Sequence, residues 1–315
     1  MTNKICKLYR LERRQVFMKI IEQMLKAGWK QLNENAPTKN KIYVMYSNGN
    51  DGGKNNYIEL RPFDSQRDNT FIMTATADTV DIRQQSNTAA DGSYRLVYGY
   101  DEKSGTGLNE GNTSFQPLVF HQGKAAYDRN PTNIIHPSYM VDLYLYVDKE
   151  TVLYCVYVND ENIPADIGKT TIGFLGLPSE YYQPELFAPY SHPFTVMMSA
   201  SVNSANTSMI ANRSQFGTKS NSAISMQVFY WDKAFLKAPT LDGKIIMTPL
   251  FAGDSSEGLR FKYDGFYVYK GSNFVYGDIL EVITNGETQR YKLFYTYFPG
   301  VISSFSEFAV ALRIE

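Results

Sequence analysis

Three histidines, His121, His136 and His192, have the widest chemical range of any residues in this sequence. Histidine can transfer protons or bind metals, and metal-binding pairs usually recur at short spacings such as HxxxH. These three are far apart in the chain, and two of them directly precede Pro137 and Pro193. They could still converge in space, but the spacing favours loop histidines with ordinary hydrogen bonds.

Two short segments are similar to parts of catalytic motifs. Residues 167–171 read IGKTT, like the end of a phosphate-binding loop, but Ile163 stands where that motif needs its first glycine. Residues 253–258 read GDSSEG, like the nucleophile turn GxSxG, but the second glycine is displaced by one position. The sequence therefore predicts no nucleotide site at the first segment and a loop between two strands at the second.

Several acidic residues lie near polar segments of the chain. Two facing carboxylates can hydrolyse a glycosidic bond, and carboxylates with backbone oxygens can bind Ca²⁺. Nothing in the sequence pairs any two of them, and no spacing matches an EF-hand. Solvated loop charge is the favoured interpretation for Asp78, Asp81, Asp91, Asp101, Glu102 and Glu110.

Tyrosine is unusually frequent, with 24 tyrosines and 19 phenylalanines against 2 tryptophans, and both of the frequent types favour strands. The pairs Tyr144/Tyr146 and Tyr181/Tyr182 are candidates for stacking on sugars. The same side chains would serve equally well as anchors of a protein–protein interface. Composition does not distinguish these two interpretations.

Charge and cysteine content narrow the classes of partner. The 31 basic and 32 acidic residues give a net charge of -1, so we expect no general attraction to nucleic acid or to an anionic membrane. Cys6 and Cys155 form no CxxC pair, and Cys155 is predicted to be a buried free thiol. No segment approaches the roughly 20 apolar residues of a membrane span, and no signal peptide is evident. We expect a soluble protein made in a cytoplasm, without metal, cofactor, nucleic acid or membrane partner.

The first element that could position these residues is a helix. Apolar residues from Val16 to Leu25 recur at helical spacing, which predicts an amphipathic helix over residues 13–26. Gly28 is placed to end it, and Trp29 is expected to pack just beyond. The basic residues around its start are interpreted as a solvated face: Arg10, Arg13 and Arg14.

The rest of the chain is typical of strands and turns. In residues 141–147 aliphatic residues alternate with Asp and Tyr, which predicts one buried face and one half-exposed face. Glycine-rich residues 84–92 and 99–113 are predicted to be surface loops. Strands are predicted at residues 42–46, 57–60, 141–147, 152–158, 244–251, 258–269, 278–283, 290–298 and 308–314.

These elements predict a mainly β fold, a β-sandwich or barrel-like sheets, with one N-terminal α-helix; an α+β fold is the minor alternative. Two domains are expected, residues 1–135 with the helix and residues 136–315. Within the second, the proline- and serine-rich residues 184–215 are predicted to form an extended loop or an arm that contacts another subunit.

Three C-terminal segments carry a resemblance: EGLRFKYDGFYV at residues 257–268, GDIL at 277–280 and FAVALRIE at 308–315. With the early helix and the NGNDG turn at residues 48–52, this plan resembles virion structural proteins of tailed bacteriophages, of the kind found in the neck, tail or baseplate. The resemblance implies a non-enzymatic subunit of the virion, assembled in the host cytoplasm. It implies contacts with copies of itself, as a homo-oligomeric ring or other multi-copy assembly, and with neighbouring virion proteins.

Two alternatives to a structural subunit stay open. The first is a carbohydrate- or receptor-binding adhesin, which requires an exposed aromatic groove. The second is a glycosidase-like hydrolase, which requires two carboxylates at catalytic separation in a cleft. For the structural subunit, no catalytic, cofactor-binding or metal-binding residues are expected.

Overall fold

The fold is mainly β, as predicted. Strands account for 61% of the residues that the structure describes, and they form antiparallel sheets beside a single short helix. The computed structural model describes residues 5–35, 42–62, 90–97, 99–108, 116–119, 140–157, 170–178, 196–200, 210–211, 224–225, 247–254, 258–270, 277–284, 286–295 and 308–314.

The helix is confirmed close to its predicted bounds. A 3-10 turn, Arg13–Gln15, leads into α1, Val16–Ala27, and Gly28 ends it in the left-handed conformation with φ 103°. Trp29 is buried just beyond, and its indole Nε1 donates to the Asp148 carbonyl oxygen at 2.7 Å.

Two details at the helix differ from the prediction. Leu25, counted in the apolar stripe, is exposed, while Gln23 is buried. Arg13 is also buried, so the basic group is not a uniformly solvated face.

The strands recover most of the predicted segments and add several. In chain order they are β1 (Ile5–Glu12), β2 (Lys30–Gln31), β3 (Tyr43–Ser47), β4 (Asn56–Pro62), β5 (Ala90–Leu96), β6 (Gly99–Asp101), β7 (Thr106–Leu108), β8 (Gln116–Val119), β9 (Met140–Val147), β10 (Thr151–Tyr157), β11 (Thr170–Gly176), β12 (Val196–Ala200), β13 (Ile210–Ala211), β14 (Ile224–Ser225), β15 (Thr248–Asp254), β16 (Gly258–Lys270), β17 (Ile279–Thr284), β18 (Glu287–Tyr295) and β19 (Phe308–Arg313).

Three five-stranded sheets dominate the described residues. The N-terminal sheet has the order β2-β3-β4-β5-β8, the central sheet β1-β9-β10-β11-β12, and the C-terminal sheet β15-β16-β19-β18-β17. The remaining short strands form two-stranded ladders, β6-β7 and β13-β14. All of these pairings are antiparallel.

One apolar core lies between the helix, the N-terminal sheet and one face of the central sheet. Phe17 and Met24 of α1 share it with Ile58 of β4 and with Leu143 and Leu145 of β9. The other face of the central sheet packs against the C-terminal sheet. The chain therefore stacks layers on both sides of its central sheet, as antiparallel sheets with two apolar faces require.

Some segments differ from their predicted state. Residues 99–108, predicted as loop, form the β6-β7 hairpin, and β5 begins at Ala90 inside the other predicted loop. Within residues 184–215, β12 pairs with β11, and residues 210–211 form β13. The arm itself lies mostly outside the described residues and stays a prediction. So does the two-domain division, although β1 from the first segment pairs with β9 from the second.

Candidate assembly interface

The hairpin of β9 and β10 is buried on both faces, contrary to the expectation of one half-exposed face. Odd-numbered residues such as Leu143 and Leu145 face the helix. Tyr144 points the opposite way, yet only 8% of its surface is exposed to solvent. The register that pairs Tyr144 with Cys155 places both side chains on the same face. This face is covered by the chain itself.

Aromatic side chains of the C-terminal sheet provide that cover. The rings of Phe294 and Tyr144 pack edge-to-face with their centroids 5.0 Å apart, and the rings of Tyr263 and Phe174 do so with centroids 5.1 Å apart. Edge-to-face pairs at such distances favour a fixed packing of two layers. At the same interface the backbone of Gly265, with φ +83°, lies so close to Leu153 that a Cβ atom would be 2.4 Å from Leu153 Cδ1.

The packing between the central and C-terminal sheets is incomplete near their β1 and β17 edges. A groove of about 190 Å³ opens there, and we call it the edge groove. Of the strands of their sheets that the structure describes, β1 and β17 are outermost, and both contribute to it. The lining residues are Lys7, Leu8, Tyr144, Leu145, Ile279, Lys292, Leu312, Arg313 and Ile314.

Large apolar side chains on both sides of the edge groove remain in contact with water. Leu8 of β1 is 49% exposed, Ile279 of β17 is 43% exposed, and Ile283, four residues further along β17, is 76% exposed. Ile279 pairs with Lys292 in the β17-β18 ladder, so Ile279 and Ile283 point to the face that packs on the central sheet. Both residues lie on the outermost described strand of the C-terminal sheet.

Each of the two edges carries an ion pair between a cation and a carboxylate. On the β1 side Arg10 forms a 3.3 Å ion pair with Asp142 while its side chain stays 56% exposed. On the β17 side lies Glu281, 66% exposed and 3.6 Å from Arg290. We call Leu8 and Arg10 the β1 strip, and Ile279, Glu281 and Ile283 the β17 strip.

Lys292 lines the edge groove beside Tyr144. Its Nζ lies 4.9 Å from the centre of the Tyr144 ring, a cation–π distance. Near it, burial raises the pKa of the Cys155 thiol well above its ordinary value, and Lys292 acts in the opposite direction. Cys155 is therefore the buried free thiol that the sequence predicts, and it is protonated and shielded at neutral pH.

Most residues that the sequence offered for chemistry lie outside the described part of the chain. This holds for His121, His136, His192, Asp78, Asp81, Glu110, Tyr181, Tyr182 and residues 167–169. Residues 255–257 also lie outside it, between β15 and β16, which pair as neighbours through Asp254 and Gly258.

Three of the acidic candidates lie within the described residues. Asp91 belongs to β5, and Glu102 lies exposed in the turn between β6 and β7. Asp101 accepts from the Ser104 hydroxyl at 2.8 Å and from the Lys103 amide at 3.0 Å, and these hydrogen bonds lower its pKa. Within the described ranges, no three His, Cys, Asp or Glu side chains lie close enough to hold a metal ion.

One buried carboxylate escaped the sequence analysis. Glu59 of β4 has no exposed surface, pairs with Arg95 of β5, and accepts from the Gly107 amide at 2.7 Å. These contacts hold the β6-β7 hairpin on the N-terminal sheet. Glu59 and Arg95 are cross-strand neighbours with opposite charges. Knowing the β4–β5 register would therefore have pointed to this buried carboxylate.

No protein-family model matches this chain, and no curated protein matches it. Among the residues that the structure describes, no helix has the length and apolar character needed to cross a bilayer.

Proposed function

We propose that this chain is a structural subunit of a tailed-bacteriophage virion, belonging to the neck, tail or baseplate. It acts by self-assembly and by contacts with neighbouring virion proteins, it is assembled in the host cytoplasm, and it resides in the virion. In this proposal it has no catalytic role and needs no cofactor.

The observation that carries the proposal is the pair of apolar strips left beside the edge groove. Ile283 and Leu8 are exposed although most of the large apolar side chains in the described part of the chain are buried. Apolar residues on the outermost strands of two adjacent sheets are typical of surfaces that other chains cover. A subunit present in many copies requires such surfaces.

The resemblance to virion proteins supports the choice of assembly. Its three segments, residues 257–268, 277–280 and 308–315, largely coincide with β16, the start of β17, and β19. All three strands belong to the C-terminal sheet, which bears the β17 strip. The C-terminal segments that carry the resemblance thus lie in the sheet that forms one side of the edge groove.

The test is to locate the protein in particles of the virus that encodes it. Virions purified by density gradient should contain the chain in several copies, measured by quantitative mass spectrometry. Gold-labelled antibodies raised against the full chain should mark the neck, tail or baseplate in electron micrographs. A chain that is abundant in infected cells but absent from purified virions contradicts the proposal.

A further inference from the structure

A glycine-rich loop of the N-terminal sheet surrounds a carboxylate of the central sheet. Residues 48–54, which we call the glycine loop, read NGNDGGK and lie between β3 and β4. The Asn50 amide and the Lys54 ammonium each donate to Oε1 of Glu150 at 3.1 Å. We propose that the glycine loop is an anion-binding loop, and that the Glu150 carboxylate occupies it as an internal ligand that holds the loop on the central sheet. This inference does not depend on the virion role.

The backbone of the glycine loop has the conformation that an anion site needs. Gly49 and Gly52 are left-handed, with φ +79° and +81°, and turns of this kind form concavities whose amides can bind an anion. The Lys54 amide donates to the Asn48 carbonyl oxygen at 3.0 Å and closes the loop. This closure does not use the Asn50 amide, which donates to Glu150 instead.

The carboxylate approaches the loop backbone closely at Gly49. A Cβ atom at this position would lie 3.2 Å from Oε1 of Glu150 and 3.0 Å from Cβ of Lys54. Glycine is the residue that allows a backbone to come this near to a ligand, and it also tolerates the positive φ. At Gly49 the ligand is a side chain of the same protein.

The turn that carries Glu150 is fixed by distant parts of the chain. The Glu150 amide donates to Oδ1 of Asp148 at 2.8 Å. Its carbonyl oxygen accepts from the Leu177 amide at 2.8 Å and from Nδ2 of Asn56 at 3.2 Å. Since this backbone is held from both sides and the side chain is only 18% exposed, the carboxylate loses little further freedom when it enters the loop.

An internal ligand predicts a behaviour that an ordinary surface ion pair does not. In the native protein Oε1 of Glu150 already accepts from both donors, so an added anion cannot reach them without displacing it. In a chain without this carboxylate, the same amide and ammonium can bind a small free carboxylate such as acetate. A surface ion pair that only joins two side chains contributes little and forms no site for an added anion.

The experiment measures hydrogen exchange of the full chain at single-amide resolution, with acetate as the probe. In Glu150→Ala the Asn50 amide should exchange at least about tenfold faster, because it loses a hydrogen bond to a charged acceptor. Sodium acetate should slow this exchange again and reach saturation, while sodium chloride at equal ionic strength should not. The matched control is Glu102→Ala, which removes an exposed carboxylate in the β6-β7 turn and should leave the Asn50 amide as in wild type.

Two further variants separate charge from shape. Glu150→Gln keeps an acceptor oxygen in the loop but no charge, so Asn50 exchange should lie between wild type and Glu150→Ala, without a response to acetate. Lys54→Met removes one of the two donors and should speed Asn50 exchange at least about threefold, because the carboxylate is held less firmly. Circular dichroism shows whether each variant is folded.

Three results would overturn the inference. The first is an Asn50 amide that exchanges equally in wild type and in Glu150→Ala. The second is a response of Glu150→Ala to acetate that is no greater than its response to chloride. If Glu150→Ala does not fold, the other two variants decide, and unchanged Asn50 exchange in both Glu150→Gln and Lys54→Met refutes the internal ligand.

Discussion

Glu59 offers the sharpest test of the packing, because it is a carboxylate without any exposed surface. Its two partners are the guanidinium of Arg95, whose side chain is itself only 13% exposed, and the amide of Gly107 at 2.7 Å. Substituting Glu59→Ala removes the acceptor and the negative charge together. Arg95 then keeps a buried positive charge without this carboxylate, and the Gly107 amide loses its acceptor.

The expected loss follows from that burial. Removing one partner of a buried ion pair costs about 3–5 kcal/mol, whereas an exposed pair contributes about 0–1 kcal/mol. Since a native protein is stable by only about 5–15 kcal/mol, Glu59→Ala should remove a large share of the unfolding free energy. The matched control is Glu281→Ala, an exposed carboxylate in a cross-strand pair with Arg290, for which we expect less than about 1 kcal/mol.

Equilibrium unfolding in urea, followed by tryptophan fluorescence, measures both losses. Glu59→Gln should cost less than Glu59→Ala because its amide oxygen can still accept from Gly107. Hydrogen exchange at the Gly107 amide should accelerate in Glu59→Ala before other amides of the N-terminal sheet. If Glu59→Ala and Glu281→Ala lower the unfolding free energy equally, the reasoning from burial is wrong.

Three further predictions test other parts of the structure. Gly173→Ala should destabilise the chain by at least about 1–3 kcal/mol in urea unfolding, because its Cβ would lie 1.9 Å from the Tyr154 ring, whereas Gly53→Ala should be nearly neutral. Cys155 should resist iodoacetamide in the native protein at pH 8 and react on unfolding, as peptide mass mapping will show; native labelling would contradict its burial. Two lysines lower the pKa of Glu22 to about 2, so its contribution should be present above pH 4.5 and disappear as pH falls towards 2; in Glu22→Gln that part of the pH dependence of thermal unfolding should flatten.

Local signals account for the parts of the fold that the sequence predicts well. The helix end at Gly28, the hairpin around residues 148–151 and the tight turn at Gly286 each depend on residues within a few positions of one another. Gly265 likewise lies where the β15–β16 register shifts, between the pairs Pro249–Tyr267 and Leu250–Tyr263, and its positive φ and close neighbour favour glycine. Such features require no knowledge of what lies far away in the chain.

The parts that escaped prediction depend on distant residues. β1 becomes a strand because β9, more than 130 positions later, supplies its partner, with Leu8 opposite Tyr144. Arg13 is buried, and Leu25 is exposed, because of the layers that surround α1 rather than because of its own sequence period. Long-range pairing of this kind leaves little trace in a window of a dozen residues.

The candidate interface shows why alternation alone does not identify a binding surface. Alternating Leu and Tyr in β9 correctly predicts two distinct faces, but the face with Tyr144 is covered by Phe294 of the same chain. Ile283 belongs to an equally regular strand and remains 76% exposed, on the outermost described strand of the C-terminal sheet. Whether a face meets its own chain or another therefore depends on how far two stacked sheets overlap.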